Sequence, residues 1–292
     1  MYTKNMELSA SELSSNTEVR VLRPFKAKFP NLLVYRKDMW KRREFIIELS
    51  RADSENEHLD TFFGRFWNVI SPLLTAAVFY LAIFVVQGGH QGADRFLHLV
   101  LGIFLFELIS ISATRGATSI VGAAGLINNT QFPRALLPLA NILTAWRIFI
   151  PSLGVYAVFH IALGQPISIY ALQAIPALVL ILIFSTGLAF FAATAQVYFR
   201  DTASLLPFII RLLLFVSPVL YFPEVAKDLL GGRLLALFNP IFCMVEIFSG
   251  SIVRANTFDI WTWVIAIGWS FSTLIIGFCF LVTREGEFAA RL

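Results

Sequence analysis

From about Trp67 onward, the sequence is a series of long apolar runs separated by short polar breaks. The runs cover residues 67–86, 96–112, 136–163, 169–195, 205–220 and 260–282. Each approaches or exceeds the roughly 17–25 apolar residues that a helix needs to cross a bilayer. Because no water at that depth can bind an exposed backbone, the runs predict helices. The predicted fold class is all-α, a polytopic membrane protein with six transmembrane helices.

A different apolar pattern precedes the first run. In residues 31–51 the apolar side chains recur at helical spacing, with Lys41, Arg42 and Arg43 on other faces. This pattern predicts an amphipathic helix in the membrane interface. A solvated helix packed on a partner subunit is the alternative, because Arg43 interrupts the apolar stripe. The predicted division is a mobile cytoplasmic tail over 1–30, an interfacial helix with its linker over 31–66, and a six-helix transmembrane domain over 67–292.

The connection before the last run contains apolar pieces that are too short to span. They cover residues 234–238 and 241–248, and the turn-forming pair Asn239-Pro240 joins them. Such pieces predict short re-entrant helices on the external side, which are tolerated where the backbone is buried in protein.

The distribution of Lys and Arg predicts the orientation of the chain in the membrane. The chain is 57% hydrophobic and 14% charged, whereas soluble domains have about 25% charged residues. Lys and Arg cluster before the first run and recur in Arg134, Arg200 and the tail, as expected of cytoplasmic segments. Lys227, Arg233 and Arg254 run against this bias, in a long connection. The predicted location is the plasma (inner) membrane, with both termini cytoplasmic and no cleavable signal peptide.

A search for catalytic chemistry finds no pattern that predicts it. No Gly-Lys pair occurs, so the phosphate-binding loop of P-loop ATPases is missing from the sequence. The four histidines and the two cysteines lack the spacing of metal ligands. The sequence therefore predicts no catalytic residue, no metal site and no cofactor in this chain.

Four charged residues fall within predicted spans, namely Glu107, Arg115, Arg147 and Arg211. Charge at this depth is expensive, so each should face the protein interior or water. A structural ion pair of Glu107 with an arginine is one interpretation. A polar lining for a solute path is the other.

Two connections hold further candidate residues. The connection after the second run predicts a short helix followed by re-entry into the membrane, and its candidates for docking a soluble partner are Ile127, Asn128, Asn129, Phe132, Pro133 and Arg134. A plain connecting loop is the alternative. The boundary after the fourth run carries the adjacent pair Arg200 and Asp201, a type of pair that usually fixes a helix end.

Five strings, taken in order, resemble the membrane subunit of ABC-2-type exporters, specifically the permeases that export O-antigen, teichoic acid and related glycans. The strings are Gly64…Trp67…Pro72-Leu73, Phe132-Pro133-Arg134, Tyr198-Phe199-Arg200-Asp201, Ser217-Pro218 and Leu237-Phe238-Asn239-Pro240. The sequence is most similar to the actinobacterial branch of this family, which implies galactan export in cell-wall biogenesis.

The resemblance implies a homodimer with a path between the subunits, and two copies of a separate ATP-binding subunit that holds ATP and Mg²⁺. Residues 126–134 would form the coupling helix, with Phe132 as the apolar anchor in a cleft of that subunit and Asn129 at the rim. Residues 31–51 would form the gate helix, where Lys41, Arg42 and Arg43 bind the head group of a polyprenyl-diphosphate-linked glycan. Membrane lipids are expected partners, and nucleic acid is not.

The expected function is therefore that of a transport subunit, not an enzyme, in a lipid-linked polysaccharide exporter. An ABC-2 exporter of a drug or peptide is the alternative within transport. A membrane-embedded glycosyltransferase or hydrolase is the alternative from another class. A transferase would need acidic residues clustered at one membrane face, and the acids near these spans are isolated.

Overall fold

The computed structural model describes residues 32–56, 62–87, 92–224, 234 and 237–292. Every regular element in these ranges is helical, in agreement with the predicted all-α class. The predicted mobile tail over 1–30, together with Lys227 and Arg233, lies outside the described residues.

Eleven α-helices are described, with 3₁₀ turns at Gly64–Phe66, Ile169–Gln173 and Glu285–Glu287. The helices are α1 (Leu32–Lys41), α2 (Arg43–Asn56), α3 (Trp67–Gln87), α4 (Ala93–Gly122), α5 (Ala124–Asn129), α6 (Leu136–Ala162), α7 (Ala174–Tyr198), α8 (Thr202–Val216), α9 (Phe242–Val253), α10 (Ile260–Arg284) and α11 (Phe288–Arg291).

Five of these helices are long and apolar enough to cross a membrane, namely α3, α4, α6, α7 and α10. The run over 205–220, predicted as a further span, differs because α8 has only 15 residues and ends at Val216. At 1.5 Å per residue such a helix measures about 22 Å, short of a hydrocarbon core of about 30 Å. Ser217 leaves the helical region with a ψ of 151°, because the proline after it disfavours helical backbone.

Helix α4 forms the centre of the bundle, where it packs between α6 and α7. Helix α7 packs in turn against α10, at a crossing where two glycines meet. A Cβ added to Gly277 would lie 2.1 Å from the carbonyl oxygen of Gly187. A Cβ added to Gly116 of α4 would lie 2.8 Å from Cα of Ala189. As the small residues predict, the helices approach each other closely at these points.

Helix α9 is buried along almost its whole length. Hydrogen bonds of Asn239 fix the turn before this helix. Oδ1 of Asn239 accepts from the backbone N–H of Ile241 at 3.0 Å, and Nδ2 of Asn239 donates to Ser217 Oγ at 3.1 Å. The turn predicted at Asn239-Pro240 is thereby confirmed. With 12 residues, α9 is too short to span a membrane.

The N-terminal amphipathic segment forms two helices, because a turn at Arg42 interrupts the helical backbone between α1 and α2. Helix α2 packs on α6, where Thr144 Oγ1 donates to Ser50 Oγ at 3.1 Å. Tyr35, Met39 and Ile46 of the predicted stripe contact the core of this same chain. The stripe therefore covers the transmembrane domain, and the outer face carries exposed Leu33, Val34 and Trp40.

Two neighbouring helices expose apolar faces. Phe79 of α3 contacts Phe215 of α8, with ring centroids 6.1 Å apart. The exposed residues around this contact are Leu74, Val78, Leu81 and Val85 on α3 and Leu205, Phe208, Ile209, Leu212 and Phe215 on α8.

Candidate functional site

Four parts of the chain meet at one end of the bundle: α1 with α2, the segment from α5 to the start of α6, the end of α7, and the residues after α10. A compact apolar cluster fills the space between them. Its buried members include Tyr35, Ile120, Ile127, Phe132, Leu136, Leu137, Val197, Leu281 and Phe288. Phe288 is fully buried, so the segment after the last long helix closes this cluster.

A buried carboxylate lies beside the apolar cluster. Glu285 is 4% exposed, and its Oε2 accepts from the hydroxyl of Tyr35 at 2.9 Å. Its Oε1 accepts from the backbone N–H of Arg134 at 2.7 Å and lies 3.6 Å from Nη1 of the same residue. We call Tyr35, Arg134 and Glu285 the Glu285 junction. Because charged acceptors form the stronger hydrogen bonds, this carboxylate holds two distant segments together.

The tyrosine of the junction is a permanent donor. Burial, followed by the charge of Glu285 and the hydrogen bond to it, raises the pKa of Tyr35 well above the value of about 10 typical of a phenol. Its hydroxyl oxygen also accepts from the backbone N–H of Ala135 at 3.4 Å. Because the folded-state pKa of Tyr35 is raised, its contribution to stability is lost only as the pH rises through that raised pKa. Burial also raises the pKa of the acceptor Glu285, so the charged acceptor is lost as the pH falls through that raised pKa.

The predicted coupling residues fall into two groups. Ile127 and Phe132 are buried, at 3% and 7% exposure, and the ring of Phe132 contacts that of Phe45 with centroids 5.8 Å apart. Asn128 and Asn129 are exposed. Apolar contacts within this chain bury the ring of Phe132. The expectation of Phe132 as an anchor in a partner's cleft stays a prediction, and the exposed residues beside it are Asn128 and Asn129.

Side-chain hydrogen bonds to backbone carbonyls cap the C-terminal end of helix α5. Asn129 Nδ2 donates to the carbonyl of Gly125 at 2.8 Å, and Thr130 Oγ1 donates to that of Leu126 at 2.7 Å. Pro133 and Arg134 follow and are partly buried, so they join this helix to α6 across the Glu285 junction.

Lys41, Arg42 and Arg43 are all exposed at the break between α1 and α2. The guanidinium of Arg43 lies over the ring of Trp40, at 5.5 Å from its centroid. The three cations therefore border the exposed apolar face of α1, an arrangement typical of a helix at a membrane surface.

The boundary between α7 and α8 is fixed by a residue that the sequence patterns missed. Gln196 donates from Nε2 to the carbonyl of Arg200 at 2.8 Å and accepts at Oε1 from the N–H of Ala203 at 2.6 Å. Arg200 and Asp201 are exposed, and Arg200 Nη2 donates to the carbonyl of Arg291 at 3.2 Å. The boundary loop thus contacts the C-terminal segment.

A second carboxylate ties that segment to α7. Tyr198 donates its hydroxyl to Glu287 Oε2 at 2.6 Å. Arg284 and Arg291 each pair with Glu287, at 3.4 Å and 3.3 Å, and Arg291 lies over the ring of Tyr198 at 4.3 Å. Unlike Glu285, this carboxylate is exposed to solvent, so its ion pairs contribute little to stability.

The structure does not bring the four charged residues of the predicted spans together. Glu107 borders a narrow crevice between α3, α4 and α6, and no arginine of the described ranges forms an ion pair with it. Arg147 Nη2 donates to the carbonyl of Ile47 in α2 at 3.5 Å. Arg115 is half-buried on α4, and Arg211 is exposed on α8.

No protein-family model matches the chain. It is similar to curated proteins named O-antigen export system permease protein RfbA. One, from Klebsiella pneumoniae, is 26% identical over 218 residues, which cover 72% of this chain and 82% of the relative. A second from this organism is 26% identical and covers 69% of this chain and 77% of its own length. One from Myxococcus xanthus is 26% identical and covers 73% and 82%.

The matched relatives are named as permeases of an export system. The multi-pass helical architecture and this similarity agree with the predicted class of non-enzymatic transport subunit. The similarity extends over about 70% of the chain.

Sequence reasoning missed Glu285 and Gln196 as site residues. Glu285 follows the last apolar run directly, in a tail otherwise noted for its arginines. An acid at the end of an apolar helix is a signal for a buried partner, but the pattern does not identify that partner, which lies 250 residues away.

Proposed function

We propose that the chain is the transmembrane permease subunit of an ATP-driven ABC exporter that moves a lipid-linked polysaccharide out of the cytoplasm. The observation that carries this proposal is the similarity to O-antigen export permeases over about 70% of the chain. In its narrowest form the cargo is a galactan. That form is supported by the resemblance of the sequence to the actinobacterial branch.

Six spans are the topology we propose, and a single contact supports the count. Tyr35 precedes the first long helix and Glu285 follows the last, yet their side chains are 2.9 Å apart. Both ends therefore lie on one side of a membrane, which requires an even number of crossings. Five helices are long enough, so α8 with the turn at Ser217 supplies the sixth. The two apolar pieces over 234–238 and 241–248 would then form the re-entrant helices on the other side.

The end that carries the Glu285 junction faces the cytoplasm in this proposal. Cations concentrate there, as in cytoplasmic segments of membrane proteins. They are Lys41, Arg42, Arg43, Arg134, Arg200, Arg284 and Arg291. At the opposite end the described residues include Arg95 and Arg254. Both termini are then cytoplasmic, and the location is the plasma membrane.

A separate ATP-binding subunit, present in two copies, supplies ATP hydrolysis and holds the Mg²⁺. The surface we propose for its docking is the exposed edge of Asn128 and Asn129 beside the Arg200-Asp201 loop. Two features support this surface. Both segments lie at the cationic end, and both join spanning helices through hydrogen-bonded turns.

The diphosphate of the cargo binds Lys41, Arg42 and Arg43 in this proposal. Their exposure beside an apolar helix face at the membrane surface supports the assignment, because guanidinium groups pair bidentately with phosphate oxygens. Replacing Arg42 and Arg43 by Ala should reduce substrate-stimulated ATPase activity while basal activity persists. Equal loss of both activities would make the segment structural.

A homodimer with the path between subunits completes the proposal. Its support is Arg211, which is exposed in the middle of an apolar helix. An arginine facing hydrocarbon at the bilayer centre costs about 2.5–3.5 kcal/mol or more. A second copy or a polar path provides a better environment. Glu107, Arg115 and Arg147 are the further candidates for groups that line the path.

Depletion of the protein in its native host tests the proposed function. Lipid-linked glycan should accumulate inside the cell at full length, and re-expression of the wild-type chain should clear it. Shortened glycan without accumulation would indicate a glycosyltransferase instead. Normal glycan with retention of another compound would indicate an exporter of different cargo.

A further inference from the structure

The Glu285 junction links two segments that the chain itself separates widely. Tyr35 lies in α1, and Arg134 lies between the short helix α5 and the long helix α6. Each oxygen of the Glu285 carboxylate accepts from one of them, at 2.9 Å and 2.7 Å. A single side chain thus fixes the distance between the interfacial helix and the segment that follows α5.

The carboxylate itself is anchored to a rigid part of the bundle. Glu285 directly follows α10, which crosses α7 at the glycine contact of Gly187 with Gly277. Phe288, three residues further, is fully buried in the apolar cluster. The backbone of Glu285 is therefore held in place by α10 before it and by the buried Phe288 after it. The carboxylate of Glu285 in turn holds Tyr35 and Arg134 through its two hydrogen bonds.

We infer that Glu285 is a positioning residue that makes α1 and the segment 128–134 move as one unit. This inference rests on the proposed function, in which the ATP-binding subunit displaces that segment. The displacement then reaches α1 through the carboxylate, and with it the exposed cations Lys41, Arg42 and Arg43 at the end of α1 and the start of α2. The ATP-binding subunit and the cargo head group are thereby connected without passing through the bilayer.

The substitution Glu285→Gln tests the link with almost no change of shape. An amide offers one acceptor oxygen, whereas the carboxylate accepts from both segments with two. If Oε1 keeps the N–H of Arg134, the amide nitrogen faces the hydroxyl of Tyr35, which then loses the acceptor for its hydrogen. The double variant Tyr35→Phe/Glu285→Gln removes that hydroxyl. Because the two residues act through one bond, the effects of the single substitutions should not add.

Glu287→Gln is the matched control. It makes the same chemical change two residues away, at a carboxylate that is exposed and bonds Tyr198 of α7 instead of the interfacial helix. The complex with the ATP-binding subunit is the sample. Glu285→Gln should lower the stimulation of ATPase activity by cargo roughly 2- to 30-fold, the usual range for residues that carry coupling between sites. Basal ATPase activity and assembly should equal those of Glu287→Gln.

Three results would overturn the inference. They are wild-type stimulation in Glu285→Gln, equal loss of basal activity and assembly, and strictly additive effects of Tyr35→Phe and Glu285→Gln. A measurement without cargo separates this inference from the proposed function. In the purified chain in nanodiscs, Glu285→Gln should speed amide hydrogen exchange in residues 32–41 and leave α8 unchanged. Faster exchange there without any glycan export by the wild type would reject the proposed cargo and keep the link.

Discussion

Phe132 lies on the inner side of the segment that we propose as the docking site of the ATP-binding subunit. Its ring is buried against Phe45 and the apolar cluster, while Asn128 four residues earlier is exposed. The phenyl group therefore packs the segment against the bundle from the inside, and the polar edge is the part left exposed for the proposed docking.

Phe132→Ala should accordingly destabilise the isolated chain. Removing a buried phenyl ring typically costs about 3–5 kcal/mol, so the thermal unfolding midpoint in detergent should fall. Asn128→Ala should leave that midpoint unchanged and weaken capture of the ATP-binding subunit. Thermal unfolding and a pull-down with the purified subunit measure the two effects. An unchanged midpoint for Phe132→Ala would indicate that the phenyl ring contacts the ATP-binding subunit and does not stabilise the isolated chain.

The sequence could predict this segment but not the direction of its side chains. Residues 126–134 are found as a short helix followed by a turn, as their polar and proline signals indicate. Periodicity over six helical residues is too short to separate an inward from an outward face. Glu285 and Tyr35 could not be paired from the sequence, because nothing local relates residues that lie 250 positions apart.

Helices α7 and α10 cross at a very short backbone distance. A Cβ on Gly187 would lie 2.4 Å from backbone atoms of Thr273 and Leu274. Glycine at this position therefore lets two long helices approach at backbone distance. Because α10 carries Glu285, the crossing also sets the position of the junction.

Gly187→Ala should separate these helices, since the added methyl group meets backbone that cannot yield. Overpacking of this kind costs about 1–3 kcal/mol, or more where backbone must move. Gly268→Ala, on the other helix of the crossing, α10, but with open space at its Cβ, is the matched control and should be neutral or slightly stabilising. Unfolding midpoints of the two purified variants give the comparison. Equal midpoints would contradict the close crossing.

The apolar runs predict where helices form, but they do not predict where each helix ends. The ends depend on individual residues such as prolines. Five of the six predicted runs form helices of spanning length. The run over 205–220 continues in hydropathy past Ser217, but Pro218 ends its helix early. The break of the N-terminal segment at Arg42 likewise interrupts a stripe that continues across it.

At the scale of the whole molecule, the topology can be measured directly. Cysteines introduced at Asn129 and at Ile167, both exposed, should react with an impermeant thiol reagent from opposite sides of the membrane. Ile167 is preferred to Gly164, whose φ of +67° favours glycine. The native cysteines Cys243 and Cys279 are replaced by Ala first. Labelling of both positions in intact cells would reject the six-span arrangement.

Substitutions of Arg211 test what covers the exposed apolar face of α8 in the assembled protein. If this face meets a second copy or the path, Arg211→Leu should impair export or dimer formation without changing the stability of the subunit. Arg211→Lys, which keeps the charge, should retain most of the activity. Export in cells and cross-linking of the purified protein are the readouts. A more stable subunit with normal export in Arg211→Leu would instead mean that the arginine faces lipid.

The contact between Tyr35 and Glu285 also constrains biosynthesis. Residue 35 is made early, but the carboxylate that holds it is added 250 residues later. Until α10 has been synthesised and inserted, α1 lacks this acceptor and Arg134 lacks its counter-charge. Although α1 is made early, it is therefore among the last described elements to gain its full set of hydrogen bonds. A chain that ends before Glu285 therefore lacks the side chain that joins α1 to Arg134.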